Sequence, residues 1–381
     1  MASVKRRGYP PRRPMVTLAE LFQHYGAAYR EQYADELLPS HLRVMWCIEH
    51  CRTEVLGGHV YQCDGCGEML YRYHSCRNRH CNQCQSDKAQ AWLEAQRELL
   101  LPVPYFLVTF TLPSELRTVA YHNQLVVYNL LFRTAAQAVQ ELAADPRFVG
   151  GQIGMVGVLH TWKRDLTFHP HVHFLVPGGG LDFVHERWHA THNRFFVHVK
   201  PLSILFCAKM REGLQKAGLF HHVPSTAWQK AWVVHSKSVG YGEKAVAYLA
   251  DYVFRIGIAN QRIVKLENDA VTFWYKDSRT KRRVWVTLPV FKFIRRFLQH
   301  VLPQGFVKVR YYGFLAPGNR RRLALVRELL GADQRTIASA TSAHAPLADA
   351  APLCDALACP HCGHALRLVL TVRPRCRCPP D

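Results

Sequence analysis

Acid is scarce in this chain. Its 381 residues carry 49 Lys+Arg against only 28 Asp+Glu, a formal net charge of +21. A deficit of that size argues for a polyanionic partner, most simply nucleic acid. Long apolar runs are also missing: nothing approaches the ~20 residues needed to span a bilayer. No long basic amphipathic helix stands out either, which argues against a membrane-surface role. The basic start MASVKRRGYPPRRP has no apolar segment behind it, so a secretory signal is not expected. Residues 1–16 read as a basic flexible arm suited to phosphates, and the protein is expected to be intracellular.

Cysteine, by contrast, is abundant and clustered. Of the 13 Cys, one group runs from Cys47 to Cys84 and another from Cys354 to Cys378, while Cys207 stands alone in the apolar stretch LSILFCAKM. In a reducing compartment such clusters read as metal sites rather than disulfides. Cys63-x2-Cys66 and Cys81-x2-Cys84 have zinc-ribbon spacing, and each turn presents two thiolates to one ion. Cys51, His59, Cys76 and His80 are left for a second zinc, with Cys47, His50 and His74 as spares; alternatively Cys76 and His80 only pack around the first. Cys359-x2-Cys362-Gly363 is a knuckle turn that Cys376 and Cys378, or Cys354, would complete. Arg72, Arg77, Arg79, Tyr71 and Tyr73 lie between the ligands, a mix that suits phosphate contact and base stacking. A solvated charged face is the competing reading.

Hydrophobic spacing predicts two helices over residues 17–50, with Ser40 capping the second, and another over 85–101. YFLVTFTL (105–112) and GMVGVLHTW (154–162) read as strands, with a long apolar helix over 122–144 between them. Residues 170–176 form a further strand, closed by Pro177 and a loop at Gly178-Gly179-Gly180. Beyond a helix at 243–255, three strands alternate over 262–288, a basic helix follows at 289–301, and residues 333–352 read as a linker.

On the strand HPHVHFLV, His171 and His173 are two positions apart, so both imidazoles share one face and reach one cation. By itself the triplet is weak, because this chain holds 22 His. His160, at the end of the preceding strand, adds a third ligand and leaves coordination positions open for substrate oxygens. His169 competes for that role but is expected outside the strand. Imidazole suits Mn²⁺ better than Mg²⁺, and either could hold and polarise a phosphodiester. In the helix EKAVAYLADYVFR, Val246, Leu249 and Val253 make the buried stripe, and Tyr248 and Tyr252 share another face at i, i+4, flanked by Lys244 and Arg255. A phenol beside cationic charge and a polarised phosphate can act as nucleophile. Tyrosines at this spacing are also common at the edge of a core.

Together, HTWKRDLTFHPHVHFLVPGGGL, YLADYVFRIGIANQRI, LGGHVYQCDGCG and YHSCRNRHCNQCQ closely resemble the insertion-sequence-91 family of rolling-circle transposases, two-tyrosine members of the HUH endonucleases. The resemblance covers residues 18–330. It implies an α+β chain: a helical and zinc-ribbon domain for DNA recognition (17–101), a catalytic domain with a ferredoxin-like central antiparallel sheet (102–266), a basic extension (267–332) and, past the linker, a C-terminal zinc knuckle (353–381). It implies His171 and His173 as ligands of Mg²⁺ or Mn²⁺, with His160 completing the set by analogy with relaxases, structural Zn²⁺, and Tyr248 and Tyr252 as nucleophiles. Lys244, Arg255, Arg77 and Arg79 are the expected DNA contacts. The implied activity is nicking and rejoining of single-stranded DNA at insertion-sequence ends through a 5′-phosphotyrosine, in a prokaryotic cytoplasm, with room for a homodimer. Three other readings compete: a plasmid replication initiator or relaxase of the same chemistry; a non-catalytic zinc-finger DNA-binding protein, which leaves the histidines and tyrosines idle; and a zinc hydrolase, for which only Asp165 and Asp182 lie near the histidine strand.

Overall fold

The computed structural model describes residues 16–191, 195–254, 257–277, 279–331 and 358–376, apart from the side chains of Asp87, Asp251, Tyr252 and Phe254. The expected arm up to residue 15 and the linker, together with Arg255, Cys354 and Cys378, lie outside the described residues. The chain opens with two helices, α1 (Leu18–Gln32) and α2 (Pro39–His50). Thr17 starts α1 with a reciprocal cap: its hydroxyl accepts from the Glu20 N–H, and the Glu20 carboxylate accepts from the Thr17 N–H. Ser40 is not the cap of α2. The helix begins one residue earlier at Pro39, whose missing N–H is not needed in a first turn.

A hairpin of β1 (Gly58–Cys63) and β2 (Met69–Tyr73) precedes α3 (Ser86–Glu98). Then come β3 (Tyr105–Thr111), α4 (Arg117–His122), α5 (Gln124–Ala144), β4 (Met155–Trp162), β5 (Phe168–Pro177), β6 (Gly179–Asp182), β7 (Arg187–Ala190), α6 (Val199–Lys216), β8 (Val234–Ser238) and α7 (Glu243–Phe254). The described chain finishes with β9 (Ile263–Glu267), β10 (Ala270–Lys276), β11 (Arg283–Pro289), α8 (Val290–Leu298), β12 (Val309–Tyr312), α9 (Arg320–Leu329) and β13 (Leu366–Val372). Of the glycine run expected as a loop, Gly179 and Gly180 belong to strand β6, paired with β7. A Cβ on Gly179 would stand 2.3 Å from the Trp188 ring, so only glycine lets that ring lie across the strand.

The central sheet has the order β12-β4-β5-β3-β8, and every neighbouring pair is antiparallel. Its first four strands in the chain follow the β-α-β-β-α-β path of the ferredoxin-like arrangement, and β12 adds an edge. Alternation assigns the two faces. Phe106, Val108 and Phe110 of β3 and Val172, Phe174 and Val176 of β5 are buried in one core with Phe132 of α5 and Phe206 of α6. On the opposite face, Tyr105, Val156, Val158 and Leu175 meet Ala245, Val246 and Leu249 of α7.

The helices α1 and α2 share a second core with β9, β10 and α8, and the Phe22 and Phe297 rings meet edge to face at 5.7 Å. The N-terminal helices and the basic extension are therefore one packing unit, and a boundary at 266 would cut through the sheet β11-β10-β9. The C-terminal segment is not a separate unit either: β13 pairs with β1 in the small sheet β13-β1-β2. Among the described residues, no helix is long and apolar enough to cross a membrane.

Candidate active site

Strand register brings the histidines together. His160 on β4 lies opposite His171 on β5, and Thr111 and Thr109 of β3 lie opposite His171 and His173. One ring nitrogen from each of His160, His171 and His173 falls within 4.8 Å of the others. The ring centroids are 5.1 Å apart for His160–His171, 4.5 Å for His160–His173 and 5.0 Å for His171–His173. The His171 Nδ1–H donates to the His169 carbonyl at 2.7 Å, and His173 Nδ1 shares a 2.7 Å hydrogen bond with Thr109 Oγ1. Both Nδ1 atoms are thereby held, which leaves Nε2 as the lone pair offered to an ion, the usual support for a ligating imidazole. Burial drives His171 down to about 4 and holds His160 and His173 well below the ordinary histidine range. All three are therefore neutral at pH 7, the form that binds metal. Three neutral imidazoles with open positions fit Mn²⁺, and less readily Mg²⁺.

His169 belongs to the strand after all, two places before His171, but it is not in the three-histidine group. Its ring centroid lies 5.5 Å from that of His171. Its Nδ1 faces the Arg117 guanidinium at 3.3 Å.

Tyr248 projects from α7 onto the histidine face, with its ring centroid 6.2 Å from that of His173 and the planes at 82°. The apolar side of α7 seats the helix on the sheet, which turns Tyr248 to the cleft, where it is 38% exposed. The backbone of Tyr252 lies one turn on in α7; its side chain is outside the described set. The cleft, of about 440 Å³, is walled by the three histidines and Tyr248 together with Trp162, Lys163, Asp165, Arg262, Tyr275 and Asp277. Arg262, Tyr275 and Asp277 were not legible in advance, because they arrive on the β9–β11 unit with no local spacing signal. Lys308 was missed as well. It is buried, lies 4.9 Å over the Trp162 ring, and donates to the Val253 carbonyl at 3.4 Å, which ties the end of α7 to β4. Desolvation, helped by the Arg79 cation, lowers Lys308 to about 7.

Of the expected DNA contacts, Lys244 and Arg77 are exposed. Arg79 is not available as expected: its guanidinium donates to the Phe306 carbonyl at 2.6 Å and the Pro303 carbonyl at 2.7 Å. Asp165 accepts from the Thr167 N–H and hydroxyl, Asp182 pairs with His185, and neither carboxylate belongs to the three-histidine group, as a hydrolase would need.

The cysteines regroup. Cys63 and Cys66 do not meet Cys81 and Cys84. One cluster is Cys51, Cys76, Cys81 and Cys84, and the other is Cys63, Cys66, Cys359 and Cys362. The hairpin explains the split. Gly58 pairs with Tyr73, so Cys51 and Cys76 flank its open end, while Cys63 and Cys66 sit at its tip, a strand length of ~20 Å away. His59 and His80 belong to neither cluster: His59 Nδ1 faces Thr371 Oγ1 at 3.4 Å, and His80 Nε2 accepts the Leu302 N–H at 3.0 Å. Cys376 is exposed and stands apart from both. Cys47 hydrogen-bonds the Cys76 thiol from beside the first cluster. Cys207, expected buried, is only partly so. A usable signal was present: CDGCG and CPHCG carry a glycine after the second cysteine, where CNQCQ carries Gln85.

Residues 21–112 match the family described as "Transposase zinc-binding domain", and residues 154–323 match the one described as "Putative transposase". Over 337 residues the chain is 43% identical to a Sinorhizobium fredii protein named "Putative transposase y4qJ", covering 82% of this chain and 84% of the relative. It is 31% identical over 283 residues to the "Transposase for insertion sequence element IS801" of Pseudomonas savastanoi pv. phaseolicola, covering 70% of this chain and 68% of the relative. No solved structure matches.

Proposed function

The chain belongs to the insertion-sequence-91 family of transposases, and we propose that it nicks and rejoins single-stranded DNA at insertion-sequence ends, in rolling-circle fashion, through a 5′-phosphotyrosine on Tyr248. One observation carries this reading: the Tyr248 ring stands 6.2 Å from the His173 ring, on the same sheet face as His160 and His171. A bound Mg²⁺ or Mn²⁺ would supply polarisation of the scissile phosphate. His160, His171 and His173 are the side chains that would hold it.

The chain's own groups do the rest. The Tyr248 oxygen bonds to phosphorus as the bond from phosphorus to the 3′ oxygen breaks; the phenol proton passes to solvent, and the released 3′ oxygen takes one up. Lys163 and Arg262 in the cleft wall provide positive charge for the phosphate backbone. The phosphotyrosine conserves the bond for rejoining. Tyr252, one helical turn along, accepts the second strand, and Lys244 and Arg77 contact DNA. The open cleft suits a flexible single strand rather than a stacked duplex.

The test is incubation of the full-length protein with labelled single-stranded element ends and Mn²⁺ or Mg²⁺. A covalent protein–DNA adduct is expected from the native chain and none from Tyr248→Phe. Cleavage that persists in Tyr248→Phe/Tyr252→Phe overturns the reading.

A further inference from the structure

We propose that Cys63, Cys66, Cys359 and Cys362 bind one structural Zn²⁺, and that this ion fastens the C-terminal segment onto the N-terminal zinc domain. The region that matches as zinc-binding, residues 21–112, holds only half of these ligands. The site is independent of the nuclease chemistry and lies at the other end of the hairpin from the first cysteine cluster.

Two matched turns face each other. In Cys63-Asp64-Gly65-Cys66-Gly67, the Gly67 N–H bonds to the Cys63 carbonyl at 3.0 Å and the Cys63 N–H to the Glu68 carbonyl at 2.9 Å. In Cys359-Pro360-His361-Cys362-Gly363, the Gly363 N–H bonds to the Cys359 carbonyl at 2.9 Å and the Cys359 N–H to the His364 carbonyl at 2.8 Å. Both glycines are left-handed, with φ of 72° and 79°. The turns touch: a Cβ on Gly65 would come within 2.5 Å of the His364 ring. Across them, Cys63 Sγ is 3.3 Å from Cys362 Sγ, and Cys66 Sγ is 3.7 Å from Cys359 Sγ. A Zn–S bond of about 2.3 Å in a tetrahedron spaces its sulfurs about 3.8 Å apart, so the set fits.

The surrounding sheet needs such a staple. Its buried cluster is only Cys63, Cys359 and Leu366, with Tyr61 and Leu70 packed alongside. On β13, Leu368, Val369 and Leu370 are 50%, 48% and 56% exposed. Without β13, the pair β1–β2 is a two-stranded hairpin, which is marginal in water. A core this small is held by a metal or by nothing much. The ion thus closes β13 onto β1 across 299 positions of sequence.

The test counts zinc in the full-length protein in a His171→Ala background, so that the imidazole site does not contribute. Two zinc ions are expected for that chain, two with Cys376→Ala added, and one with Cys359→Ala/Cys362→Ala added. A chain that starts with one ion, or a double variant that keeps two, overturns the proposal. If the double variant does not fold, thiol alkylation of the zinc-loaded native chain decides. Cys66 and Cys362 are exposed, so without an ion they would react as Cys376 does. Protection of all four cysteines, lost together on chelation, supports the site; alkylation of Cys359 and Cys362 as fast as Cys376 overturns it.

Discussion

The two faces of β5 do opposite work. Val172, Phe174 and Val176 turn into the core with α5 and α6 and are fully buried, while His171 and His173 turn to the cleft and Tyr248. Burying a Val- or Phe-sized side chain stabilises by ~1.5–3 kcal/mol. Burying a polar ring contributes little even when it is hydrogen-bonded, and costs if it must carry charge. The dry face, together with Leu175 at the far end of the histidine face, therefore sets where the strands lie, and the histidines use that register to hold three imidazoles in common reach. Stability and chemistry are separated by one residue along the same strand.

The largest effect should come from the polar face. His173→Ala is expected to lower cleavage by roughly 10³-fold, since metal polarisation supplies several kcal/mol. Thermal melting should show the fold retained; if the variant unfolds instead, the division between the faces fails. On the dry face, Phe174→Ala should lower stability by ~3–5 kcal/mol. Urea unfolding measures it, and Mn²⁺ titration of the still-folded variant should show ion binding retained; a variant that keeps its stability but loses Mn²⁺ reverses the assignment. Thr109→Val keeps shape but removes the hydroxyl on His173 Nδ1, and should weaken Mn²⁺ binding by ~10–100-fold in calorimetry. Unchanged affinity would mean the threonine does not orient the ring.

The smallest effect is on pH. Burial lowers His171 to about 4 in the fold, against an ordinary value of 6.5, and holds His160 and His173 well below that ordinary value too. Between those values the unfolded chain binds more protons, so stability rises with pH. The metal-free protein should be most stable above pH 6.5 and lose stability as pH falls from 6.5 towards 4. Urea midpoints at pH 7, 6 and 5 test this, and the slope should be shallower in His171→Gln. An equal slope in both would show that His171 is not shielded from solvent.

Local patterns carried much of this from residue order alone. The strand with His171 and His173, the helix with Tyr248 and the presence of cysteine–metal turns all depend on neighbours within a few positions, where strand and helix periods decide which side chains align; the ferredoxin-like order came from the family resemblance alone. The limits of that reading are equally specific. Ser40 loses the cap because the helix starts at Pro39, which puts Leu38 at the N-cap, and Arg79, expected at DNA, is held instead by two carbonyls of the 303–306 segment.

What residue order alone determined, then, is which groups of this chain could bind metal or attack phosphorus. Which of them meet was decided only by tertiary structure. The β1–β2 hairpin separates Cys63 and Cys66 from Cys81 and Cys84 and carries them to Cys359 and Cys362, and the register of β3, β4 and β5 selects His160 over His169 for the three-histidine group. Both outcomes follow from where strands pair across long stretches of chain, a quantity set by the packing of whole faces and invisible to any short window of sequence.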